Sequence, residues 1–285
     1  MSALRKQMEA DIKVRGMSPR TRDSYIGVVA DLAKFYHRSP DRVSEDEVQR
    51  YLLHLIEQKK LAWSSVNVAA SALKFFFRAT LKRKEAEFFV PGPRQPQKLP
   101  QILSREEVLR LIDSAANPKH RMMLLTTYAA GLRLTEVCAL KVSDIDSQRM
   151  TIRIEQGKGA KDRYALLSPK LLKELRNYWA LYRPKQWLFP NPRHPERPLL
   201  KHTLHRIYHR AKDRAGINKR GGLHALRHAF ATHMLEGGVN VHTIQRLMGH
   251  SDLSTTTRYF HLARKDLAGT PSPLEMLVTD RGAPE

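Results

Sequence analysis

Residues 90–100 read Val-Pro-Gly-Pro-Arg-Gln-Pro-Gln-Lys-Leu-Pro, and Pro91, Pro93, Pro96 and Pro100 prevent a regular helix across that stretch. The segment is predicted to be a semi-extended tether. It divides the chain into two parts, each of which must bury its own core. A chain of 285 residues has room for two domains, and a hydrophobic fraction of 41% can fill two cores. The expected organisation is a helical domain over 1–89, a linker over 90–100 and a second domain over 101–285.

The first part reads as four helices. One is expected over residues 3–15. Ser18-Pro19 places an N-cap before proline at the first helical position, opening a periodic run through Tyr25, Val28, Val29, Leu32 and Phe35. Ser44-x-x-Glu47 is a capping box ahead of Val48, Tyr51, Leu52 and Leu55. The fourth segment runs from Val66 to Leu81, with Leu73, Phe76 and Phe77 on its apolar side. Lys13, Arg15, Arg20, Arg22, Lys74 and Arg78 either contact phosphates or form solvated helix faces.

After the tether, Ser104-x-x-Glu107 is a second capping box, and an apolar helix over 118–130 stops at Gly131. Thr151-Ile-Arg-Ile-Glu and Tyr164-Ala-Leu-Leu167 have the pattern of short strands, joined through Gln-Gly-Lys158-Gly-Ala-Lys-Asp into a hairpin with a basic tip. Ser168-Pro169 starts another helix, and residues 202–215, 224–236, 240–248 and 253–261 read as four more. The fold class is therefore mainly α with a small antiparallel β hairpin or sheet.

The formal net charge is +22 and the pI about 10.3. Such a field attracts a polyanion, and a pI above about 9 points to nucleic acid. A ribosomal-type or membrane-surface protein is the alternative. The charge is spread through periodic apolar segments rather than tails, which favours a folded DNA-binding protein. No apolar run reaches the roughly 18 residues that span a bilayer, and Met-Ser-Ala-Leu-Arg-Lys lacks a secretory core. The single cysteine, Cys138, cannot form an internal disulfide, so a cytoplasmic setting is expected. Residues 197–220 carry eight basic residues against one acid, Asp213, which suits a groove-facing surface.

The chemistry-bearing residues form a set. Arg133 and Glu136 lie in Gly-Leu-Arg-Leu-Thr-Glu, Lys158 in Gly-Lys-Gly, His224 and Arg227 in His-Ala-Leu-Arg, His250 in Gly-His, and Tyr259 nine residues further on. Two guanidiniums that grip phosphate oxygens bidentately, an ammonium, two imidazoles and a phenol suit attack of Tyr259 on a DNA phosphodiester without a metal. Other patterns compete. His224 and His228 have zinc-helix spacing, but Ala225 stands where His-Glu-x-x-His has its glutamate. His202, His205 and His209 share a helix face, read as DNA-facing or solvated. Asp144 and Asp146 fall in a turn without a third carboxylate, which argues against a two-metal nuclease.

These boxes, in this order, resemble the active site of the tyrosine recombinase (phage integrase) family. Leu223–Leu262 most resembles the Xer and transposon-associated integrases, with Met248 where leucine is commoner. The resemblance implies a two-domain DNA clamp: a helical core-binding (SAM-like) domain and a recombinase catalytic domain. It implies a site-specific recombinase that cleaves and rejoins DNA through a covalent 3′-phosphotyrosyl intermediate, with neither metal nor cofactor. Tyr259 would be the nucleophile, Lys158 the general acid, and Arg133 and Arg227 the phosphate ligands. His224 would assist proton transfer, His250 would bond a non-bridging oxygen, and Glu136 would orient or buttress. The implied partner is a double-stranded recombination site. A homo-oligomer would assemble on it, a dimer per site and a tetramer at synapsis, with room for an accessory DNA-bending protein. No membrane is involved, and the expected location is the bacterial cytoplasm at the nucleoid. A type IB topoisomerase would share the chemistry. A non-catalytic DNA-binding regulator would use Leu134–Val142 as half of a helix-turn-helix but leaves the boxes unexplained.

Overall fold

The computed structural model describes residues 2–83, 101–155 and 162–249. Its chain divides into two compact units, Met1–Gln97 and Lys98–Glu285. The proline-rich stretch expected as a linker lies outside the described residues, as does the helix expected over 253–261.

In the first unit, α1 (Ala3–Val14), α2 (Pro19–Phe35), α3 (Glu45–Glu57) and α4 (Trp63–Phe75) surround one core. Ser18 caps α2 through the Thr21 amide at 3.1 Å, with Pro19 at the first helical position. Ser44 and Glu47 close both bonds of a capping box on α3. Met8 and Ile12, Ile26 and Leu32, Val48 and Leu52, and Val66 and Leu73 bring the four apolar stripes together. At its end α4 widens into one π-helical turn over Phe76–Thr80, closed by Leu81 N–H donating to the Phe76 carbonyl at 2.9 Å. The Gln7 side chain donates to the Thr80 carbonyl, which tethers that turn to α1.

The second unit begins with α5 (Arg105–Asp113), opened by the Ser104/Glu107 capping box. Next come α6 (Pro118–Ala129), capped by Asn117, and the short α7 (Leu134–Cys138). Three strands follow: β1 (Ile145–Asp146), β2 (Thr151–Ile154) and β3 (Arg163–Leu166). They form an antiparallel sheet in the order β1-β2-β3, pairing Ile145 with Ile152, Ile152 with Ala165 and Ile154 with Arg163. Asp144 thus ends a 3-10 turn and Asp146 belongs to β1, where the sequence suggested a plain turn. The unit continues with α8 (Pro169–Tyr182), α9 (Lys201–Arg214), α10 (His224–Glu236) and α11 (Val241–Met248).

The core of this unit runs from α5 and α6 through β2 and β3 to α8, α9 and α10. Cys138 is buried in it as a free thiol, and burial pushes its pKa up to about 12. Gly131 sits between α6 and α7 with φ +60°, and a Cβ there would lie 2.5 Å from the Phe230 ring. The chain therefore needs glycine to bring α10 up against the start of α7.

Candidate active site

Three separate pieces of the second unit, α7, β3 and α10, meet around one carboxylate. Arg133 is the N-cap of α7, in extended backbone, and its amide donates to Glu136 Oε2 at 2.7 Å. Capping directs Glu136 back toward the helix start, where Arg133 Nη1 donates to its Oε1 at 2.8 Å. Arg163, the first residue of β3, donates through Nη2 to Glu136 Oε2 at 2.7 Å. Arg227, one turn into α10, places Nη1 3.9 Å from the same oxygen.

The three arginines also share a second target. Arg163 Nη1 donates to the Leu247 carbonyl, Arg227 Nη2 to the Met248 carbonyl at 2.5 Å, and Arg133 Nη2 to the Gly249 carbonyl at 2.9 Å. These consecutive carbonyls end α11, where a helix leaves its acceptors unpaired and carries partial negative charge. Arg227 Nη1 additionally donates to the Gly131 carbonyl. Gly249 caps α11 in the left-handed region at φ +61°, and a Cβ there would run into Arg163 Cδ.

The electrostatics of the cluster are one-sided. Three guanidiniums face one carboxylate, which leaves 3 − 1 = +2. Side-chain exposure is 4% for Glu136, 3% for Arg227 and 9% for Arg163, but 16% for Arg133, so solvent reaches the cluster mainly past Arg133. Burial alone would push the Glu136 carboxyl up. The charge of Arg163, the bonds from Arg133 and the charge of Arg227 together outweigh it, so its pKa is lowered. Cations held this close without enough counter-charge favour an entering anion.

His224 opens α10 on its exposed side. Desolvation, then the charges of Arg227 and Arg133, lower its pKa, which favours a neutral imidazole able to accept a proton. His228, a turn later, is pushed down to about 4 by burial and by the charges of His224 and Arg227. On α9, Leu204, Ile207, Tyr208 and Ala211 face the core, while Lys201, His202, Arg206 and Arg210 are exposed. His205 and His209 bring their Nε2 atoms to 3.3 Å. Among the described residues, no group of three or more His, Cys, Asp or Glu is placed to hold a metal.

Of the residues singled out by sequence, the structure thus brings together Arg133, Glu136, His224 and Arg227. Lys158, His250 and Tyr259 lie outside the described residues. Arg163 is the residue the sequence reading missed. It was readable in principle: extending the strand back one position from Tyr164 puts Arg163 on the same inward face as Ala165, where an arginine needs a partner.

Residues 101–266 match the model of the phage integrase family, and residues 4–87 match that of the phage integrase N-terminal SAM-like domain. The chain is 45% identical to y4qK of Sinorhizobium fredii, over 97% of this chain and 90% of that protein. It is 35% identical to the tyrosine recombinase XerA of Thermococcus onnurineus, over 89% of each. Its fold is similar to that of a lambda integrase dimer bound to a COC′ core site, with a TM-score of 0.69 at 18% identity, covering 89% of this chain and 96% of that one. Among the described residues, no helix is long and apolar enough to cross a membrane.

Proposed function

The chain belongs to the phage integrase family of tyrosine recombinases and is a site-specific DNA recombinase, and on that premise we propose that Arg133, Glu136 and Arg227 form its phosphate-binding centre. The observation that carries the reading is the arginine cluster left at +2 around Glu136. A scissile phosphodiester brings one negative charge and reduces the excess to +1, and the second charge that its non-bridging oxygens gain as phosphorus becomes pentacovalent would balance the rest. Two of the five N–H donors of Arg133 are used by Glu136 Oε1 and Gly249.

In this reading the Tyr259 phenol attacks phosphorus and passes its proton toward His224, whose neutral imidazole suits that task. The bond from phosphorus to the 5′ oxygen breaks, and Lys158 protonates that oxygen as it leaves. The 3′-phosphotyrosyl ester retains the bond energy, so a 5′ hydroxyl from a second duplex can reverse the step and join the new strands. His250 follows Gly249 in the chain and would bond a non-bridging oxygen.

The DNA would be met by both units. The basic outer face of α9 suits phosphates and base edges, and the SAM-like unit adds Lys13, Arg15, Arg20 and Arg22. Exchanging both strands between two duplexes requires four cleavages, hence four copies of Tyr259. A dimer on each site and a tetramer at synapsis fit that count, and the DNA-bound lambda integrase dimer supports the first stage. The domain limits 1–89 and 101–285, and the bacterial cytoplasm at the nucleoid as the location, belong to the same reading.

Capture tests the assignment. The full-length protein is incubated with a nicked duplex library of randomised sequence, and SDS-resistant protein–DNA adducts are isolated and their DNA sequenced. Wild type should yield adducts enriched in one site. Tyr259→Phe should bind that site but give none, because only the attacking oxygen is lost. Adducts of normal yield from Tyr259→Phe would remove Tyr259 from the role.

A further inference from the structure

We propose that Arg163 is a positioning residue for strand cleavage, holding Glu136 and the end of α11 in one grip so that Arg133 and the chain entering His250 stay in register with the phosphate. The inference rests on the assignment of Arg133 and Arg227 as phosphate ligands and concerns a residue outside that assignment.

The geometry supports it in three ways. First, the Arg163 guanidinium spans two partners from different segments: its Nη2 holds Glu136 Oε2 at 2.7 Å, and its Nη1 holds the Leu247 carbonyl. A planar fork reaches each acceptor from its own nitrogen at a fixed angle, whereas an ammonium would have to serve both from one point. Second, Glu136 Oε2 is the oxygen that also receives the Arg133 amide. Arg163 therefore fixes the carboxylate whose other oxygen orients the Arg133 guanidinium. Third, the stem of Arg163 lies where any side chain at position 249 would have to go, with Cδ and Nε both against an added Cβ. Glycine at the left-handed cap lets α11 end directly on the arginine.

A second feature separates this residue from an ordinary surface ion pair. Arg163 is 9% exposed and Glu136 is 4% exposed. Its buried Nε–H meets no acceptor among the described residues. A buried donor left unpaired is destabilising. That donor is left unpaired while both Nη groups are spent on fixing the distance between α7, β3 and α11. Arg163 touches neither the reacting oxygens nor the nucleophile in this scheme, so its effect passes through Glu136 and α11.

The test uses the full-length protein on the nicked duplex recovered by capture, with single-turnover adduct formation at saturating enzyme and DNA affinity measured separately. Arg163→Ala should keep DNA affinity within a few-fold while slowing adduct formation by about 10- to 100-fold, the range for residues that orient a site's ligands. Added guanidinium ion should restore part of the rate, since a free cation can enter the vacated space. Arg163→Lys should remain slow, because an ammonium would have to serve Glu136 and Leu247 from one point. In a double-mutant cycle, Arg163→Ala and Glu136→Gln should be strongly non-additive in rate. A wild-type rate for Arg163→Ala, full recovery with lysine, or additivity with Glu136→Gln would overturn the proposal. Arg227→Ala serves as the reference: if it still forms adducts, the phosphate-ligand assignment fails, whereas loss there beside a wild-type rate in Arg163→Ala refutes only the role of Arg163.

Discussion

Replacing Glu136 with glutamine removes one charge and keeps the shape, so its effect can be worked out atom by atom. Glu136 Oε2 accepts from the Arg133 amide and from Arg163 Nη2, while Oε1 accepts from Arg133 Nη1. The single oxygen of glutamine will take the position with two donors. Its NH2 then faces Arg133 Nη1, donor against donor, and the Arg133 guanidinium is the group displaced. The cluster rises from +2 to +3. Removing one partner of a buried ion pair costs roughly 3–5 kcal/mol. For a unit the size of Lys98–Glu285, a loss of 1 kcal/mol lowers Tm by about 2–4 °C. Glu136→Gln should therefore melt about 6 to 20 °C below wild type near pH 7, followed by circular dichroism. Because the extra positive charge seeks an anion, sulfate and DNA should raise the Tm of the variant more than that of wild type. A variant that melts within about 2 °C of wild type, with the same response to sulfate, would refute the view that Glu136 balances the three arginines.

Two further outcomes follow from the same site. His228 has a folded-state pKa of about 4 against an ordinary 6.5, so its neutral form favours the folded state. That contribution is full above pH 6.5 and is lost as pH falls from 6.5 toward 4, by up to about 3 kcal/mol. His228→Gln should flatten the pH dependence of Tm in that window, and an unchanged slope would show that His228 is not its source. Lys158→Ala should cleave a normal substrate slowly, yet cleave one with a 5′-bridging sulfur at near wild-type rate, because sulfur leaves without a proton. Equal impairment on both substrates would restrict Lys158 to DNA positioning.

Much of the architecture was legible because it is written in side chains at fixed spacing. Ser44 with Glu47 and Ser104 with Glu107 close the capping boxes their spacing announces. Ser18-Pro19 and Ser168-Pro169 open helices, and the strands around the Lys158 segment pair as antiparallel neighbours. The features that escaped are those with no such signature. The spacing of Leu73, Phe76, Phe77 and Thr80 fits an ordinary helix, so the wider turn at the end of α4 leaves no trace in the apolar pattern. With five residues, α7 is too short for periodicity to appear, and β1 has only two. The grip of Arg133, Arg163 and Arg227 on α11 falls on backbone carbonyls, which every residue possesses. Sequence could therefore name two of the three arginines but not what they hold.

Helix α9 has a consequence for how such a protein changes its target. Its inner residues, Leu204, Ile207, Tyr208 and Ala211, are locked in the core, whereas Lys201, His202, Arg206 and Arg210 face outward. None of those four side chains takes part in the hydrogen bonds around Glu136. If the outer face of α9 meets the DNA, as proposed above, address and chemistry occupy separable places. Under that proposal a lineage could rewrite the outer face of α9 one position at a time without changing a residue that bonds Glu136. Laboratory retargeting can take the same route, with libraries confined to that face and the arginine frame held constant.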